Sequence, residues 1–407
     1  MRAGQRRVMV VYGTRPEAVK MAPVVQALAE SEHFTPVVAV TGQHRTMLDQ
    51  VNETFGIVPD FDLDLCKAGQ TLTDITMGTL AGVGELMTQE QCDIVLVQGD
   101  TTTSCAAALA AFYMKVPVAH MEAGLRTDDP YEPFPEEMNR RLTSRLAALH
   151  LAPTATARAN LLAEGVEPES VVVTGNTVID ALYRTLLHPT PLTDSALQPL
   201  ADPSVPMLLV TAHRRESWGR PMEQIGRALA RIAVAHPELL VVFPIHRNPV
   251  VREAVLPAIC DLPNVVVTEP APYREFCQLM ERATVILTDS GGVQEEGPSL
   301  GVPVLVMRDS TERPEAVAAG AVRLIGTDED RIVAETERLL SDPAAHAAMA
   351  RTVNPYGDGL AAERTVAAIA HHFGLQPRPA DFAPAVVTRM TDNVVAPIDA
   401  GVQAPVG

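Results

Sequence analysis

The chain has 407 residues, of which 47% are hydrophobic and 20% are charged. Because this length exceeds what one hydrophobic core normally organises, two domains are expected. Its formal net charge of −18 argues against a nucleic-acid-binding protein, because such proteins present a basic surface. Five cysteines without a CxxC pair indicate a reducing, cytoplasmic location, and no apolar run reaches the roughly 20 residues that a membrane span requires.

The first half of the chain alternates short, almost wholly apolar runs with amphipathic segments of helical length. Such runs are typical of strands that are buried on both faces of a parallel sheet. We therefore predict βαβ units, with helices at residues 102–114 and 136–148 among others. The predicted strands lie at residues 8–12, 36–41, 94–97, 117–120 and 171–174.

A proline-rich segment, residues 189–206, is predicted to link a first domain, 1–188, to a second, 207–360. The alternation resumes after it, with strands predicted at 207–211, 239–244, 265–268, 285–288, 302–307 and 322–325. This pattern predicts an α/β protein with two doubly wound, Rossmann-like domains that face a central cleft, where a ligand is expected. The composition of residues 376–407 predicts a flexible Pro/Ala-rich tail. The alternative is an extended arm that lies on a partner subunit.

The first predicted strand leads into the stretch GTRPE at residues 13–17, and Lys20 follows one turn into the next helix. A single glycine is not the GxGxxG of a dinucleotide site, so NAD is not expected. Arg15 and Lys20 would instead place two cations at a helix N-terminus, which suits a phosphate. A solvated surface pair is the alternative.

Three carboxylates of the first domain are candidates for acid–base chemistry. Asp100 follows the strand at 94–97, Glu122 follows the next strand, and Glu136 opens a later helix. Because neighbouring parallel strands end at the same edge of a sheet, these carboxylates are expected to lie close together, where like charges raise pKa values and favour acid–base chemistry. Taken singly, Asp100 could be a helix cap and Glu136 an acid that the helix dipole favours.

In the second domain, His213 follows the first strand and precedes two arginines, a position that suits an anion or a proton carrier. Residues 288–296, TDSGGVQEE, join a strand to a helix through Ser290, Gly291 and Gly292. Free backbone N–H groups at such a helix start favour a pyrophosphate, and a tight turn without a ligand is the alternative.

Two further residues of the second domain complete the predicted phosphate and ribose contacts. Glu296 lies one turn further into the same helix and could reach ribose hydroxyls, and Arg313 follows the next strand as another cation. The sequence has no metal-ligand motif and no GxSxG elbow, so neither a metal nor a nucleophilic serine is expected.

Taken together, these motifs resemble the non-hydrolysing UDP-N-acetylglucosamine 2-epimerases over residues 13–359. The matching stretches are GTRPEAVKMAP, TGQHRTMLDQV, GDTTTS, EAGLRT, PFPEEMNR, TGNTVIDAL, HRRES, LTDSGGVQEE, MRDSTERPEAV and NPYGDG. The resemblance implies a GT-B-like fold of the UDP-glycosyltransferase and glycogen phosphorylase type. It also implies a homodimer and a last helix, here residues 361–375, that returns to the first domain.

The resemblance further implies reversible epimerisation of UDP-N-acetylglucosamine to UDP-N-acetylmannosamine without a metal, NAD or another cofactor. The product would supply activated mannosamine for cell-surface polysaccharide. In that reaction the C1–O bond breaks as the C2 proton leaves, which gives UDP and 2-acetamidoglucal. UDP then adds back to C1 while the opposite face of C2 is protonated. Two proton carriers are needed, and the sequence does not assign them to individual residues.

The resemblance also implies which residues form the site, by their positions in the matching stretches. The catalytic candidates are Asp100, Glu122, Glu136 and His213. The candidate UDP contacts are Arg15, Lys20, His213, Phe276, Ser290, Gly291, Gly292, Glu296 and Arg313. Some members bind a second, activating UDP-N-acetylglucosamine, and the matching residues here are Gln43, His44, Gln70, Glu136, Arg214 and His246.

Four positions depart from the pattern of some members. Gly69 and Thr46 replace an arginine and a glutamine of the activating site. Ala271 replaces a side chain that contacts uridine, and Gln98 stands where a histidine is frequent.

Three other functions are alternatives to epimerisation without hydrolysis. A hydrolysing epimerase would use the same UDP site and release free N-acetylmannosamine. A glycosyltransferase of the same fold would need an acceptor-binding insertion, which is not apparent in the sequence. A nucleotide-sugar sensor without turnover would have little use for clustered carboxylates near an anionic ligand.

Overall fold

The computed structural model of this chain describes residues 4–384 apart from 43, 44, 66, 68, 128 and 193. Its first sheet has seven parallel strands in the order β3-β2-β1-β4-β5-β6-β7. The central strand β1 is buried from Val8 to Tyr12, as a strand covered on both faces requires. The strands are β1 Arg6–Tyr12, β2 Phe34–Val40, β3 Phe61–Asp62, β4 Ile94–Gln98, β5 Val118–Met121, β6 Leu149–Ala152 and β7 Val171–Val173.

The second sheet has six parallel strands in the order β10-β9-β8-β11-β12-β13. The strand order reverses beside β1 in the first sheet and beside β8 in the second, and a crevice opens at such a switch point. The predicted α/β architecture of two doubly wound parallel sheets is therefore confirmed. The strands are β8 Met207–Thr211, β9 Leu240–Pro244, β10 Val265–Thr268, β11 Val285–Thr288, β12 Val304–Val306 and β13 Val322–Leu324.

Helices cover both sheets, and one of them joins the two halves. Helix α7 packs on α1 and α15 on one side and on α10 and α11 on the other, so the apolar core is continuous between the sheets. The helices are α1 Arg15–Glu30, α2 Arg45–Phe55, α3 Leu72–Glu90, α4 Thr102–Tyr113, α5 Glu136–Leu146, α6 Ala155–Ala163, α7 Thr177–Leu186, α8 Arg220–Ala235, α9 Pro249–Ile259, α10 Tyr273–Arg282, α11 Gly291–Ser299, α12 Pro314–Ala318, α13 Glu329–Ser341, α14 Pro343–Ala350 and α15 Ala361–His372.

The last helix returns to the first half of the chain, where it packs on α1 and α7. Its N-terminus is held by Asp180 of α7, whose carboxylate accepts the backbone N–H groups of Ala362 at 2.7 Å and Ala361 at 3.2 Å. These groups have no acceptor within the helix, and Asp180 is 1% exposed, so water cannot replace it. The contact fixes the chain's return to the first sheet.

We expect Asp180→Ala to lower the free energy of unfolding by about 2 kcal/mol, because two buried amides lose their acceptor. Asp342→Ala is the matched control, since Asp342 accepts two first-turn amides of α14 at an exposed site. Solvent can replace that carboxylate, so the control should cost less than about 1 kcal/mol. Urea unfolding of both variants measures the difference, and equal losses would contradict the assignment.

The observed elements add one feature to the sequence-based predictions and correct one boundary. The proline-rich segment contains a short 3-10 helix, Ser195–Ala201, whose Leu197 and Leu200 are buried. The tail was predicted to begin at Gln376, but that boundary is too early: Phe382 is buried, and its N–H donates to the carbonyl of Val173 at 2.7 Å. The segment from 376 to 384 thus extends along the edge strand β7, and residues 385–407 lie outside the described residues.

Within the described part of the chain, no helix combines the length and apolar character needed to span a membrane.

Candidate active site

A cleft of about 520 Å³ opens between the two sheets at the carboxyl ends of their strands. Its volume suits a ligand of nucleotide-sugar size. All nine candidate UDP contacts line it, together with Arg214 and His246 of the candidate activating site and Ala271. The nine are Arg15, Lys20, His213, Phe276, Ser290, Gly291, Gly292, Glu296 and Arg313.

One wall of the cleft is the start of α11, directly after β11. Ser290 occupies the N-cap position, but its side chain accepts no bond from the helix, so the first-turn N–H groups lack a side-chain acceptor. An ideal Cβ on Gly291 would lie 3.1 Å from the Arg313 guanidinium, so only glycine lets this cation rest against the helix start without displacement. A guanidinium over free backbone N–H groups is an arrangement that binds phosphate.

Arg313 is itself held by a buried carboxylate of α11. Its Nε donates to Glu295 Oε1 at 2.9 Å, and Glu295 is 2% exposed. The pKa of Arg313 is raised although burial acts against it, because Glu295 and Glu122 lie nearby. The guanidinium is therefore a fixed cation rather than a mobile surface group.

Glu296, one residue further along α11, accepts the hydroxyl of Tyr273 at 2.9 Å. Burial raises the pKa of Glu296 to about 7, and the neighbouring Glu295 adds to this effect. Further hydroxyl donors that bind this carboxylate would stabilise its ionised form over its protonated form. Ribose hydroxyls are such donors.

Lys20 of α1 also lines the cleft, and it forms a largely buried ion pair with Glu122, which lies directly after β5 and next to the cleft. The two Nζ–Oε distances are 2.6 and 2.8 Å, and Glu122 also accepts the side-chain amide of Gln98. Burial opposes the ionisation of Glu122, but the Lys20 ammonium outweighs it, so the pKa lies below its ordinary value. Its φ of 59° is left-handed, a strained conformation for a glutamate that is typical of functional positions.

Asp100, after β4, is held by Arg140 of α5, whose Nε and Nη2 both donate to Asp100 Oδ2. Arg140 in turn donates from Nη1 to Glu137 at 3.1 Å, and Glu137 has no exposed surface. Glu136, at the start of α5, has a raised pKa because it is partly buried and lies near Asp100. Arg140 also lies close enough to Glu122 to lower the pKa of that carboxylate.

His213 lies after β8 and faces the cleft. Its Nδ1 is 3.0 Å from Asp289 Oδ1, and the backbone N–H groups of His213 and Arg214 donate to Asp289 Oδ2 at 2.6 and 2.8 Å. Asp289 is fully buried, and these contacts hold its pKa low despite burial. An imidazole whose Nδ1 faces a carboxylate keeps its proton there and leaves Nε2 to accept one.

Several residues of this site were not singled out in the sequence. Arg140, Glu137 and Glu295 look like helix-surface charges, and only packing buries them. Asp289 stands within a matched motif, and its place directly after β11 was the available signal. Of the candidate activating set, Gln43 and His44 lie outside the described residues. Among the described residues, no group of three or more His, Cys, Asp or Glu side chains could hold a metal ion.

Comparison with known proteins gives concordant matches. A family model described as UDP-N-acetylglucosamine 2-epimerase matches residues 26–370. The UDP-N-acetylglucosamine 2-epimerase of Escherichia coli K12 is 53% identical over 368 residues, which cover 89% of this chain and 98% of the relative. The crystal structure of the Neisseria meningitidis UDP-GlcNAc 2-epimerase bound to UDP-GlcNAc matches with a TM-score of 0.82 and 46% identity, covering 90% of this chain and 100% of that one. The S. aureus MnaA–UDP co-structure matches with a TM-score of 0.83 and 44% identity, covering 93% and 100%.

Proposed function

This chain belongs to the UDP-N-acetylglucosamine 2-epimerase family and is a GT-B-like isomerase that epimerises UDP-N-acetylglucosamine, and from that premise we propose that it does so without hydrolysis, with UDP-N-acetylmannosamine as product. The observation that carries the proposal is that Lys20 and Arg313, a fixed cation at a free helix start, line one cleft, and that Lys20 pairs there with the largely buried carboxylate of Glu122, which lies next to the cleft. Such a cleft can hold the leaving UDP and move the C2 proton at the same place.

In the proposed mechanism, the C1–O bond breaks and its electron pair leaves with UDP, whose charge Arg313 and the first-turn amides of α11 stabilise. A carboxylate next to the cleft takes the C2 proton, and the C–H electron pair forms the C1=C2 bond of 2-acetamidoglucal. UDP then attacks C1 again while a second group protonates the opposite face of C2. Asp100, Glu122, Glu136 and His213 are the proposed proton carriers and charge stabilisers.

The experiment that tests this function is proton NMR of the purified protein with UDP-N-acetylglucosamine in D2O, without added metal or NAD. We expect a new UDP-N-acetylmannosamine anomeric signal, with deuterium at C2. Free N-acetylmannosamine with UDP would establish a hydrolysing enzyme instead. Binding without any change in the spectrum would leave a nucleotide-sugar sensor.

The raised pKa of Glu296 predicts a pH-dependent affinity for UDP. Ribose hydroxyls that donate to this carboxylate favour its ionised form, so binding strengthens as the pH rises through about 7. If only the ionised form binds well, the Kd at pH 6 is about tenfold higher than at pH 8. Calorimetry of Glu296→Gln alongside the unaltered protein isolates this contribution, because the titration of UDP itself is common to both. Parallel pH curves for the two proteins would contradict the prediction.

We further propose that the enzyme is a homodimer. The exposed apolar residues Phe112 and Tyr113 of α4 and Met138 and Leu142 of α5 support a second copy as the occupant of this face, since α4 packs beside α5. Light scattering after gel filtration tests the proposal, and a monomeric mass at micromolar concentration would reject it.

Activation by a second UDP-N-acetylglucosamine, and supply of mannosamine for cell-surface polysaccharide, are part of the same proposal. Arg214 and His246, which line the cleft, support a second nucleotide-sugar contact next to the first. Reverse kinetics test it: UDP-N-acetylmannosamine should convert slowly until UDP-N-acetylglucosamine is added. Hyperbolic kinetics without that requirement would exclude activation.

A further inference from the structure

Asn176 lies three residues after the end of β7, and its side-chain amide oxygen forms a contact that the fold requires. Its Oδ1 accepts the N–H of Val178 at 3.1 Å and caps α7, and its backbone N–H donates to the carbonyl of Tyr356 at 2.6 Å. The residue is 4% exposed. The segment that carries the chain back toward α15 therefore packs directly on this residue, so Asn176 lies where the two halves of the protein meet.

The amide nitrogen of the same side chain contacts a carboxylate from each half. Nδ2 lies 3.4 Å from Glu122 Oε1, after β5 of the first sheet, and 3.3 Å from Glu295 Oε2, on α11 beside the second sheet. An asparagine amide carries two N–H donors, so one is available for each carboxylate. Asn176 is thus a neutral bridge between a candidate proton carrier and the carboxylate that holds Arg313.

The charges around Asn176 alternate. Lys20 pairs with Glu122 on one side, and Arg313 pairs with Glu295 on the other. Glu295 is buried and Glu122 is largely buried, so the two carboxylates would repel each other without a donor between them. The amide bridge instead places an N–H donor beside each carboxylate, next to the cation that each one pairs with. It also connects the proposed pyrophosphate contact, Arg313, to the proposed proton carrier, Glu122.

We propose that Asn176 is a positioning residue that couples the occupied UDP site of the second half to the orientation and ionisation of Glu122 in the first. The inference rests on the proposed function, because it concerns how the same site works. UDP bound at Arg313 acts on Glu295, the partner of that cation, and Asn176 transmits the effect to Glu122 because its Nδ2 contacts both carboxylates.

Asn176→Ser and Asn176→Asp test the inference. Serine and aspartate both retain an oxygen that caps α7, so the fold keeps this contact. The serine side chain is one bond shorter and cannot place a donor on both carboxylates, and aspartate replaces the donor with a third carboxylate. For Asn176→Ser we expect kcat to fall about 10- to 100-fold with KM changed less than about threefold, because the bridge acts on chemistry and not on the initial binding of substrate. For Asn176→Asp the loss should be greater.

The pH profile separates positioning from a merely structural role. Loss of the donor raises the pKa of Glu122, so the acidic limb of kcat should move to higher pH, by about one unit in Asn176→Ser and further in Asn176→Asp. Calorimetry gives a readout without turnover: the number of protons exchanged on UDP binding should differ between Asn176→Ser and the unaltered protein. A wild-type kcat and pH profile in Asn176→Ser, or a loss of kcat with an unshifted profile and unchanged proton exchange, would overturn the inference.

The outcome is distinguishable from failure of the proposed function. If the unaltered protein shows no C2 exchange in D2O, the proposed function fails whatever the variants do. If it shows exchange and Asn176→Ser behaves like it, only the coupling through Asn176 fails. Thermal unfolding of both variants checks the fold, with Asn248→Asp as the matched change at an N-cap asparagine of the other half, where Asn248 caps α9.

Discussion

Glu122→Gln should lower kcat by about 10³- to 10⁴-fold while KM for UDP-N-acetylglucosamine changes little. The amide keeps the size of the side chain but cannot take a proton, and it also removes the anion that pairs with Lys20 at 2.6 Å. Steady-state kinetics measure the loss, and NMR in D2O should show a parallel loss of deuterium incorporation at C2. Activity within tenfold of the unaltered enzyme would remove Glu122 from the proposed set of proton carriers.

Lys20→Met is the informative companion, because it breaks the same ion pair and leaves the carboxylate in place. Without the ammonium, burial is no longer outweighed and the pKa of Glu122 rises. Since the ionised form is the one that takes a proton, Lys20→Met should be impaired most at low pH and should recover part of its kcat as the pH rises. The kcat of Glu122→Gln should not recover at any pH, because its amide cannot take a proton. The same response in both variants would mean that Lys20 acts on UDP alone.

The sheets were predictable from sequence because strands buried on both faces must be apolar throughout. Eleven of the observed strands start or end within two residues of the predicted runs for this reason, β1 and β11 among them. Two strands escaped prediction. Phe61–Asp62 of β3 is only two residues long, and Leu149–Ala152 of β6 follows α5 after two alanines with no Gly or Pro to mark the break.

The positions of the site residues were predictable for a related reason: the chain places polar side chains where parallel strands end, and those ends meet at one edge. What the sequence could not give is the set of partners. The contact of Lys20 with Glu122 joins residues 102 positions apart and depends on β1, β4 and β5 being neighbours in that order. The burial of Arg140 likewise depends on how α5 packs on α4, which helical periodicity does not specify.

Asp289→Asn should lower kcat by about 10²- to 10⁴-fold through the tautomer of His213. Oδ2 of Asp289 accepts the backbone N–H groups of His213 and Arg214, so an asparagine must keep its oxygen there. Its NH2 group then faces His213 Nδ1, 3.0 Å from Oδ1 in the unaltered protein, and the imidazole has to accept that donor. The ring proton moves to Nε2, which can no longer take a proton from the substrate or from UDP.

Nitrogen-15 NMR of the histidines distinguishes this cause from a general disturbance. In Asp289→Asn, the chemical shift of His213 Nδ1 should become that of an unprotonated ring nitrogen, and the shift of Nε2 that of a protonated one. Asp328→Asn makes the same change at the exposed N-cap of α13, where Asp328 accepts the N–H of Arg331 at 3.0 Å, and should stay within about twofold of the unaltered kcat. Because Asp289 acts through His213, the double variant His213→Gln/Asp289→Asn should be no slower than His213→Gln alone. Additive losses in the double variant would mean that Asp289 serves the site by another route, through the backbone turn that it holds at Arg214.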